Sequence, residues 1–209
     1  MSSVAQDPAA DTILSLRQME RRERILDTTV RLAAEGGYEA VQMRDVSARA
    51  GVALGTLYRY FSSKDHLLAA AWAHWASSLE PRITTRPLRG ETMADRATDF
   101  LHRATRAFEH EPLLAAAVLT AAMSTDAAAA GSQQEASGLV GRFLLSVMDG
   151  LPTATAEGIR DVLNHVWYSV LLRWVSGRSS LTEVYSSLEQ ACHLLLDQRE
   201  PVPAGRART

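Results

Sequence analysis

Cysteine and lysine are almost missing from this chain. Its one cysteine, Cys192, has no partner for an internal disulfide, so the fold does not need an oxidising compartment. The helical pattern around Cys192 predicts a buried, inert thiol, and a redox sensor is the alternative. Its one lysine, Lys64, stands among otherwise arginine-only cations. The position of that single ammonium group therefore carries information.

Patterns of catalytic and metal-binding residues are also absent. The six histidines have no metal-ligand spacing, and neither HExxH nor CxxC occurs. Asp161 and His165 lie four residues apart on an apolar helical segment, but no serine or cysteine nucleophile is suitably placed. His165 is then better explained as a core or interface residue. The sequence predicts no metal, no cofactor and no enzyme.

Long hydrophobic runs and a secretory signal are lacking. The longest apolar run, "PLLAAAVLTAAM", is too short to cross a bilayer, and the N-terminal residues have no basic region. A cytoplasmic protein without a membrane partner is expected. The formal net charge of −2 does not by itself indicate a nucleic-acid partner.

What the sequence contains is helical periodicity, and no segment shows strand alternation. We expect an all-α fold of about nine helices. A flexible arm (1–16), a helix-turn-helix domain (17–66), a larger helical domain (67–198) and a disordered tail (199–209) are predicted. Gly36-Gly37 is expected to end the first helix, residues 81–91 to form a connection, and residues 124–138 to form a loop.

Residues 44–61 have the pattern of a helix-turn-helix. Gly51 lies where the turn needs a permissive backbone. Apolar residues occur at the positions that pack on a preceding helix: Val46, Ala50, Val52, Leu57 and Phe61. With Leu57 inward, the outward face of the second helix carries glycine, threonine, tyrosine and arginine, which suits a DNA groove better than water.

Each outward position has a chemical reason to contact DNA. Gly55 permits close approach of the backbone, tyrosine hydroxyls donate to phosphates, and an arginine can bind guanine bidentately. Lys64 lies at a helix N-terminus, which also favours an anion. The candidates are Arg44, Leu54, Gly55, Thr56, Tyr58, Arg59 and Lys64. The alternative is an amphipathic hairpin with surface tyrosines.

The stretch from Arg21 to Trp72, and "GTLYRYF-SSK" above all, resembles the N-terminal domain of TetR-family transcriptional regulators. The likeness implies a repressor, and it adds Tyr60 and Gln42 to the expected DNA contacts. Ala53 and Gln42 depart from the family pattern, because each stands where a capping serine or threonine is frequent. A narrower likeness, to repressors of cholesterol-catabolism genes, continues through most of the chain.

The resemblance implies a homodimer paired through the last two helices. The sequence agrees, because the segment 155–175 is apolar on too wide a face to be covered from one side. The expected interface residues are Val166, Val170, Trp174, Tyr185, Leu188 and Cys192. The alternative is that these residues form only the core of a monomer.

An effector pocket is expected between the middle helices, although methionine and aromatic residues at helical spacing are more often plain core. Its candidate walls are Phe100, Phe108, Leu119, Met123, Phe143, Val147, Met148, Trp167 and Leu171. The resemblance implies a hydrophobic small molecule of the steroid-CoA or acyl-CoA type that releases a pseudo-palindromic DNA operator. The rival hypothesis is an all-α small-molecule-binding protein or enzyme without operator-specific DNA binding.

Overall fold

The computed structural model describes residues 8–199, so residues 1–7 of the predicted arm and 200–209 of the predicted tail lie outside it. Within this range the chain forms nine α-helices and one 3-10 helix and no strand, which confirms the predicted all-α fold. None of these helices is both long and apolar enough to cross a membrane. The helices are α1 (Pro8–Ala40), α2 (Met43–Arg49), α3 (Leu54–Tyr60), α4 (Lys64–Thr84), α5 (Met93–His110), α6 (Pro112–Ala122), α7 (Ala127–Val147), α8 (Thr153–Val175) and α9 (Leu181–Leu196), and the 3-10 helix is Asp197–Arg199.

The first helix is longer than its sequence pattern indicates. It begins at Pro8, within the segment predicted to be a flexible arm. The glycine pair does not end it but breaks it: Gly37 has φ 68°, in the left-handed region that favours glycine, and the chain returns to helix up to Ala40. The break turns Tyr38 towards the start of α4, where its hydroxyl bonds Asp65.

Helices α2 and α3 form the predicted helix-turn-helix on α1. Gly51 in the turn has φ 65°. Leu57 of α3 and Phe61 are buried in the same core as Ile25 and Leu26 of α1. Gln42 and Ala53, which precede α2 and α3, make no capping hydrogen bond through their side chains, and the absence of serine or threonine at these positions predicts this. Packing therefore holds these two short helices in place.

Two segments predicted as irregular are helical. Helix α4 continues through Pro81 to Thr84, because Ile83 packs against the core beyond the proline and Thr85 N–H still donates to the Pro81 carbonyl at 3.0 Å. Helix α7 begins at Ala127, within the predicted loop. Four consecutive alanines favour helix there, and the Asp126 carboxylate caps it by accepting from Ala128 N–H at 2.9 Å.

One hydrophobic core runs through the described residues. Helix α4 packs on α1, α6 and α7, α5 packs on α9, and α8 contacts α6, α7 and α9. Cys192 is fully buried, as predicted, and burial raises the pKa of its thiol to about 11. Helix α4 starts directly after the helix-turn-helix and packs along its length against α6 and α7 of the larger part of the molecule, so it belongs to both.

Candidate nucleic-acid interface and apolar cavity

The outer face of α3 presents the residues expected to read DNA. Tyr58 is 49% exposed, and Arg59 and Arg44 are also exposed. A Cβ at Gly55 would meet nothing within 4 Å, so its surface is open. No carboxylate among the described residues pairs with Arg44 or Arg59. Exposed cations without an intramolecular partner are available to phosphate or to guanine.

The remaining candidates around α3 are less open. Leu54 and Thr56 are half-buried, and Leu54 packs against the core. Gln42 is exposed at the start of α2, where its side-chain amide donates to the Glu39 carbonyl at 3.0 Å. These three residues border the exposed face without forming its centre.

Tyr60, which the resemblance adds to the expected DNA contacts, is half-buried. Its ring packs against the core, and its hydroxyl donates to the main-chain carbonyl of Gln18 in α1 at 3.4 Å. Because Tyr60 stands three residues after Leu57, it shares the inward side of the short helix. Tyr60 connects α3 to α1 rather than presenting its hydroxyl on the outer face.

Lys64 is held at the start of α4. Its ammonium group lies 3.7 Å from the centre of the Tyr38 ring and 4.0 Å from a Glu39 carboxylate oxygen, and burial lowers its pKa. The Tyr38 hydroxyl donates to Asp65 Oδ1 at 2.7 Å, and this bond raises the Tyr38 pKa to about 12. The sequence reading missed Tyr38. The signal was a lone aromatic residue directly after the glycine pair.

A narrow apolar cavity lies between α4, α5, α7 and α8. Four of the predicted wall residues line it: Phe100, Phe108, Phe143 and Trp167. The sequence reading missed the wall that α4 contributes, which is Trp72, Trp75, Ala76, Leu79, Glu80 and Ile83. Their spacing of three and four residues is a helical stripe, and this pattern could have indicated the wall.

The other predicted wall residues lie elsewhere. Leu119, Val147, Met148 and Leu171 are buried core residues that do not line the cavity. Met123 is 56% exposed at the end of α6, so it is not a wall residue. A helical stripe marks a buried face, but it does not distinguish residues around a cavity from residues packed against one another.

The walls of the cavity are aromatic and well fixed. The Phe108 ring contacts Trp75 and Trp167, with centroids 5.0 and 5.7 Å away. The Trp167 indole N–H donates to Thr105 Oγ1 at 2.9 Å, and both side chains are buried. The enclosed volume is about 40 Å³. Ligand pockets usually measure some 300–1,000 Å³, so this cavity is nearly closed.

A basic groove adjoins the cavity and shares the side chains of Trp75, Leu79 and Ile83 with it. Its polar lining is Arg103, Arg106 and His110 of α5 together with Glu111, which follows α5 directly, so two guanidinium groups and one carboxylate face the groove. These three shared residues place the apolar cavity directly beside cationic side chains. Such a pair of sites can receive a molecule with one apolar end and one anionic end.

Arg103, also in this groove, fixes the end of α4. Its guanidinium donates to the carbonyl oxygens of Ile83 at 3.1 Å, Arg86 at 2.8 Å and Pro87 at 2.8 Å. It pairs with Asp99 one turn earlier at 2.5 Å. Arginine can fill this many acceptors because its donors form a rigid fork. The C-terminal end of α4 is therefore anchored to α5.

The opposite end of α4 is tied to α7 through one carboxylate. Ser63 caps α4 by accepting from His66 N–H at 3.0 Å, and its hydroxyl donates to Asp126. Asp126 is also the N-cap of α7, the helix that carries Leu139, Val140 and Phe143 into the cavity wall. These bonds lower the pKa of Asp126, so the carboxylate stays ionised. The residue that caps one cavity helix, α7, thus contacts Ser63, the residue directly before α4.

The predicted interface set divides between two faces. Leu188 and Cys192 are completely buried within the protomer, and Tyr185 packs on His102 and donates to Glu109 of α5. Leu188 and Cys192 have no exposed surface to offer a second subunit, whereas Tyr185 is half-buried. Val166, Val170 and Trp174 of α8 are half-buried. The most exposed apolar residues nearby are Leu194, at 76%, and Val162, at 46%.

The comparisons with known proteins agree with this architecture. A family model described as bacterial regulatory proteins, tetR family, matches residues 25–71. A second model, described as tetracyclin repressor-like, C-terminal domain, matches residues 90–195. The chain belongs to the TetR family. The two matches cover the helix-turn-helix and the helical part that contains the cavity.

Among TetR-family relatives the chain resembles KstR over most of its length. It is 43% identical to the HTH-type transcriptional repressor KstR of Rhodococcus jostii over 187 residues, covering 89% of this chain and 87% of the relative. For KstR of Mycobacterium tuberculosis the identity is 40% over 184 residues, with 88% and 84% covered. The chain is thus a TetR-type transcriptional repressor that resembles KstR.

Solved structures of the TetR family share its fold. A TetR transcriptional regulator from Rhodococcus sp. RHA1 superposes with a TM-score of 0.78 at 29% identity, covering 86% of this chain and 97% of that one. Thermus thermophilus FadR, a TetR-family repressor crystallised with lauroyl-CoA, gives a TM-score of 0.68 at 18% identity, with 90% and 99% covered. The helical arrangement is therefore that of the family throughout.

Proposed function

We propose that the protein is a homodimeric repressor that binds a pseudo-palindromic DNA operator and is released by an amphipathic effector. The observation that supports this most directly is the course of α4. Its 21 residues begin beside the recognition helix α3 and end against the cavity, a length of about 30 Å. A molecule that widens the cavity would press on the helix on which the DNA-reading unit is mounted.

Two protomers would pair through the exposed apolar strip of α8 and α9. The strip consists of Val162, Val166, Val170 and Leu194, of which Val162 and Leu194 are exposed while Val166 and Val170 are half-buried at the edge of the protomer core. Uncovered apolar side chains at this density mark an association surface. A two-fold dimer would present two copies of α3 to successive major grooves, about 34 Å apart, and this requires a pseudo-palindromic operator.

Operator reading would come from α3 and the start of α2. Arg44 can bind guanine bidentately, while the Tyr58 hydroxyl and Arg59 can contact phosphates. Lys64 adds a cation at the N-terminus of α4, where the backbone N–H groups also favour an anion. Its position over the Tyr38 ring fixes where that charge lies.

The effector we propose is a steroid-type CoA thioester, and a long-chain acyl-CoA is the second candidate of the same chemistry. The aromatic cavity suits the apolar end, and the groove with Arg106 and His110 suits the phosphates of CoA. The likeness of the sequence to repressors of cholesterol-catabolism genes favours the steroid. At about 40 Å³ the cavity cannot hold either molecule without widening.

Widening would reach the DNA-reading unit by two routes. Arg103 anchors the far end of α4, so pressure on Trp75 and Leu79 would swing the near end, which carries Lys64. Movement of α7 would pull on the bond between Asp126 and Ser63, the residue directly before α4 and three residues after the end of α3. Both routes change the separation of the two recognition helices in a dimer.

The test is a parallel titration of tryptophan emission and operator release. The operator is first selected from a random DNA library with the wild-type protein, and the ligands are a cholesterol-derived acyl-CoA, the corresponding free acid, lauroyl-CoA and CoA alone. We expect one thioester class to change both signals with a shared midpoint. If emission responds while DNA stays bound at saturation, the cavity binds a ligand without switching the repressor.

Arginine variants test the assignment of the groove. Arg106→Gln should weaken release by the CoA thioester while leaving the response to the free acid unchanged. Arg96→Gln, on the same helix but outside the groove, is the matched control. Equal responses of the two variants would remove the phosphate-binding role from the groove.

A further inference from the structure

Residues 16–24 of α1 extend beyond the hydrophobic core. From Leu16 to Arg24 every side chain is exposed except Arg21, which is half-buried, and the core begins only at Ile25. A helical segment with so little buried surface is marginal in water, since most helical stability comes from packing. Such an extension needs another reason to be present, and its surface chemistry indicates one.

Three arginines lie along one side of this extension. Arg17, Arg21 and Arg24 are spaced four and three residues apart, which places them on one face of a helix. None of them pairs with a carboxylate in the part of the chain that the structure describes. Glu20 borders the stripe and Glu23 lies further round the helix, so the face itself is cationic. This set of three arginines is called the α1 stripe below.

The extension is docked on the C-terminal end of the recognition helix. The Tyr60 hydroxyl donates to the Gln18 carbonyl at 3.4 Å, and the Arg22 guanidinium lies 5.8 Å from the centre of the Phe61 ring. Gln18 follows Arg17 directly, so the α1 stripe is about a quarter turn around the helix from this contact. Tyr60, which does not face outward, thus positions the extension.

The expected place of the stripe follows from groove dimensions. The major groove is about 12 Å wide, so a helix seated in it has a ridge of phosphates on each side. Packed helices lie some 8–10 Å apart, and a helix docked on the end of α3 therefore lies over such a ridge. Three unpaired guanidinium groups there would meet phosphate oxygens, which bind arginine strongly.

We propose that the α1 stripe is a second DNA contact, which binds phosphates flanking each half-site without reading base sequence. The inference rests on the proposed operator binding and extends its footprint. Arg17, Arg21 and Arg24 would contribute to the affinity of DNA binding and to its salt dependence. Discrimination between base sequences would come from α2 and α3.

The test compares salt dependence of binding to the selected operator for full-length variants. Each arginine that contacts one phosphate per protomer contributes two contacts per dimer, so Arg21→Ala should reduce the slope of log K against log salt by about 1.8. The triple alanine variant should lose several units of slope and the outermost protected nucleotides in a hydroxyl-radical footprint. Its preference for the operator over a base-substituted operator should be unchanged.

Two controls separate charge from structure. The triple lysine variant keeps the charges and should retain most of the slope. Arg31→Ala changes the same face of α1 some 20 Å beyond Gln18 and should leave the slope unchanged. An unchanged slope in the triple alanine variant would overturn the inference, whereas a wild-type protein that selects no operator would instead overturn the proposed function.

Discussion

The hydrogen bond between Trp167 and Thr105 gives a sharp test of how the cavity wall is held. Thr105→Val keeps the shape of the side chain but removes the oxygen that accepts from the indole N–H at 2.9 Å. Both residues are buried, so the indole N–H would lose its partner without gaining water. A buried donor without a partner costs about 1–3 kcal/mol of the free energy of unfolding.

That magnitude can be measured by thermal denaturation. For a chain of this size 1 kcal/mol shifts Tm by about 2–4 °C, so a loss near 2 kcal/mol should lower Tm by roughly 4–8 °C. Circular dichroism at a fixed protomer concentration measures this shift, since association makes Tm depend on concentration. Because Trp167 lines the cavity, the effector midpoint should rise as well.

Thr29→Val is the matched control. Thr29 is equally buried, but its hydroxyl donates to the Ile25 carbonyl one turn earlier at 2.8 Å, and the helix ladder already uses that carbonyl. No donor loses its partner, so we expect a change within about 0.5 kcal/mol. If the two variants lose the same stability, the orphaned indole is not the cause and the reasoning fails.

The subunit interface and the DNA contacts give two further predictions. Leu194→Asp places a charge on the exposed apolar strip and should yield folded monomers in sedimentation, while Leu188→Asp buries a charge in the protomer and should prevent folding. A folded dimer of the first variant would remove Leu194 from the interface. Arg44→Ala should reduce discrimination at one base pair by about 1–3 kcal/mol. Lys64→Ala should instead lower the slope of log K against log salt by about 1.8 per dimer. If the Arg44 and Lys64 variants both bind the operator like the wild type, the assignment of these residues as DNA contacts is wrong.

The helix-turn-helix could be predicted because its determinants are local. Gly51 at the turn and the apolar positions around Leu57 specify how α2 and α3 meet α1, and the sequence shows these spacings directly. Tyr60 was assigned by resemblance, although its place three residues after Leu57 indicated an inward side chain. Geometry within one short helix was the better guide there.

The larger part of the chain was harder to predict, because which side of each helix is buried depends on the helices that pack against it. Helix α9 has apolar residues on two sides, and only packing against α5 shows that Leu188 faces the protomer while Leu194 faces outward. Pro81 suggested a helix end, yet Ile83 and the bonds from Arg103 hold the helix beyond it. Such choices depend on contacts between residues far apart in sequence.

The nearly closed cavity has a consequence for the direction of the switch. The aromatic walls and the Asp126–Ser63 bond stabilise the closed arrangement, so an effector that needs several hundred cubic ångströms can bind only a different arrangement of α4 and α7. If the closed arrangement is the one that binds DNA, effector and operator bind mutually exclusive states, which makes the chain an inducible repressor. Moving the population from 99:1 to 1:99 requires the effector to prefer the open state by about 5.5 kcal/mol. Burial of a large apolar group can supply this, whereas CoA alone would bind only the groove and leave α4 in place.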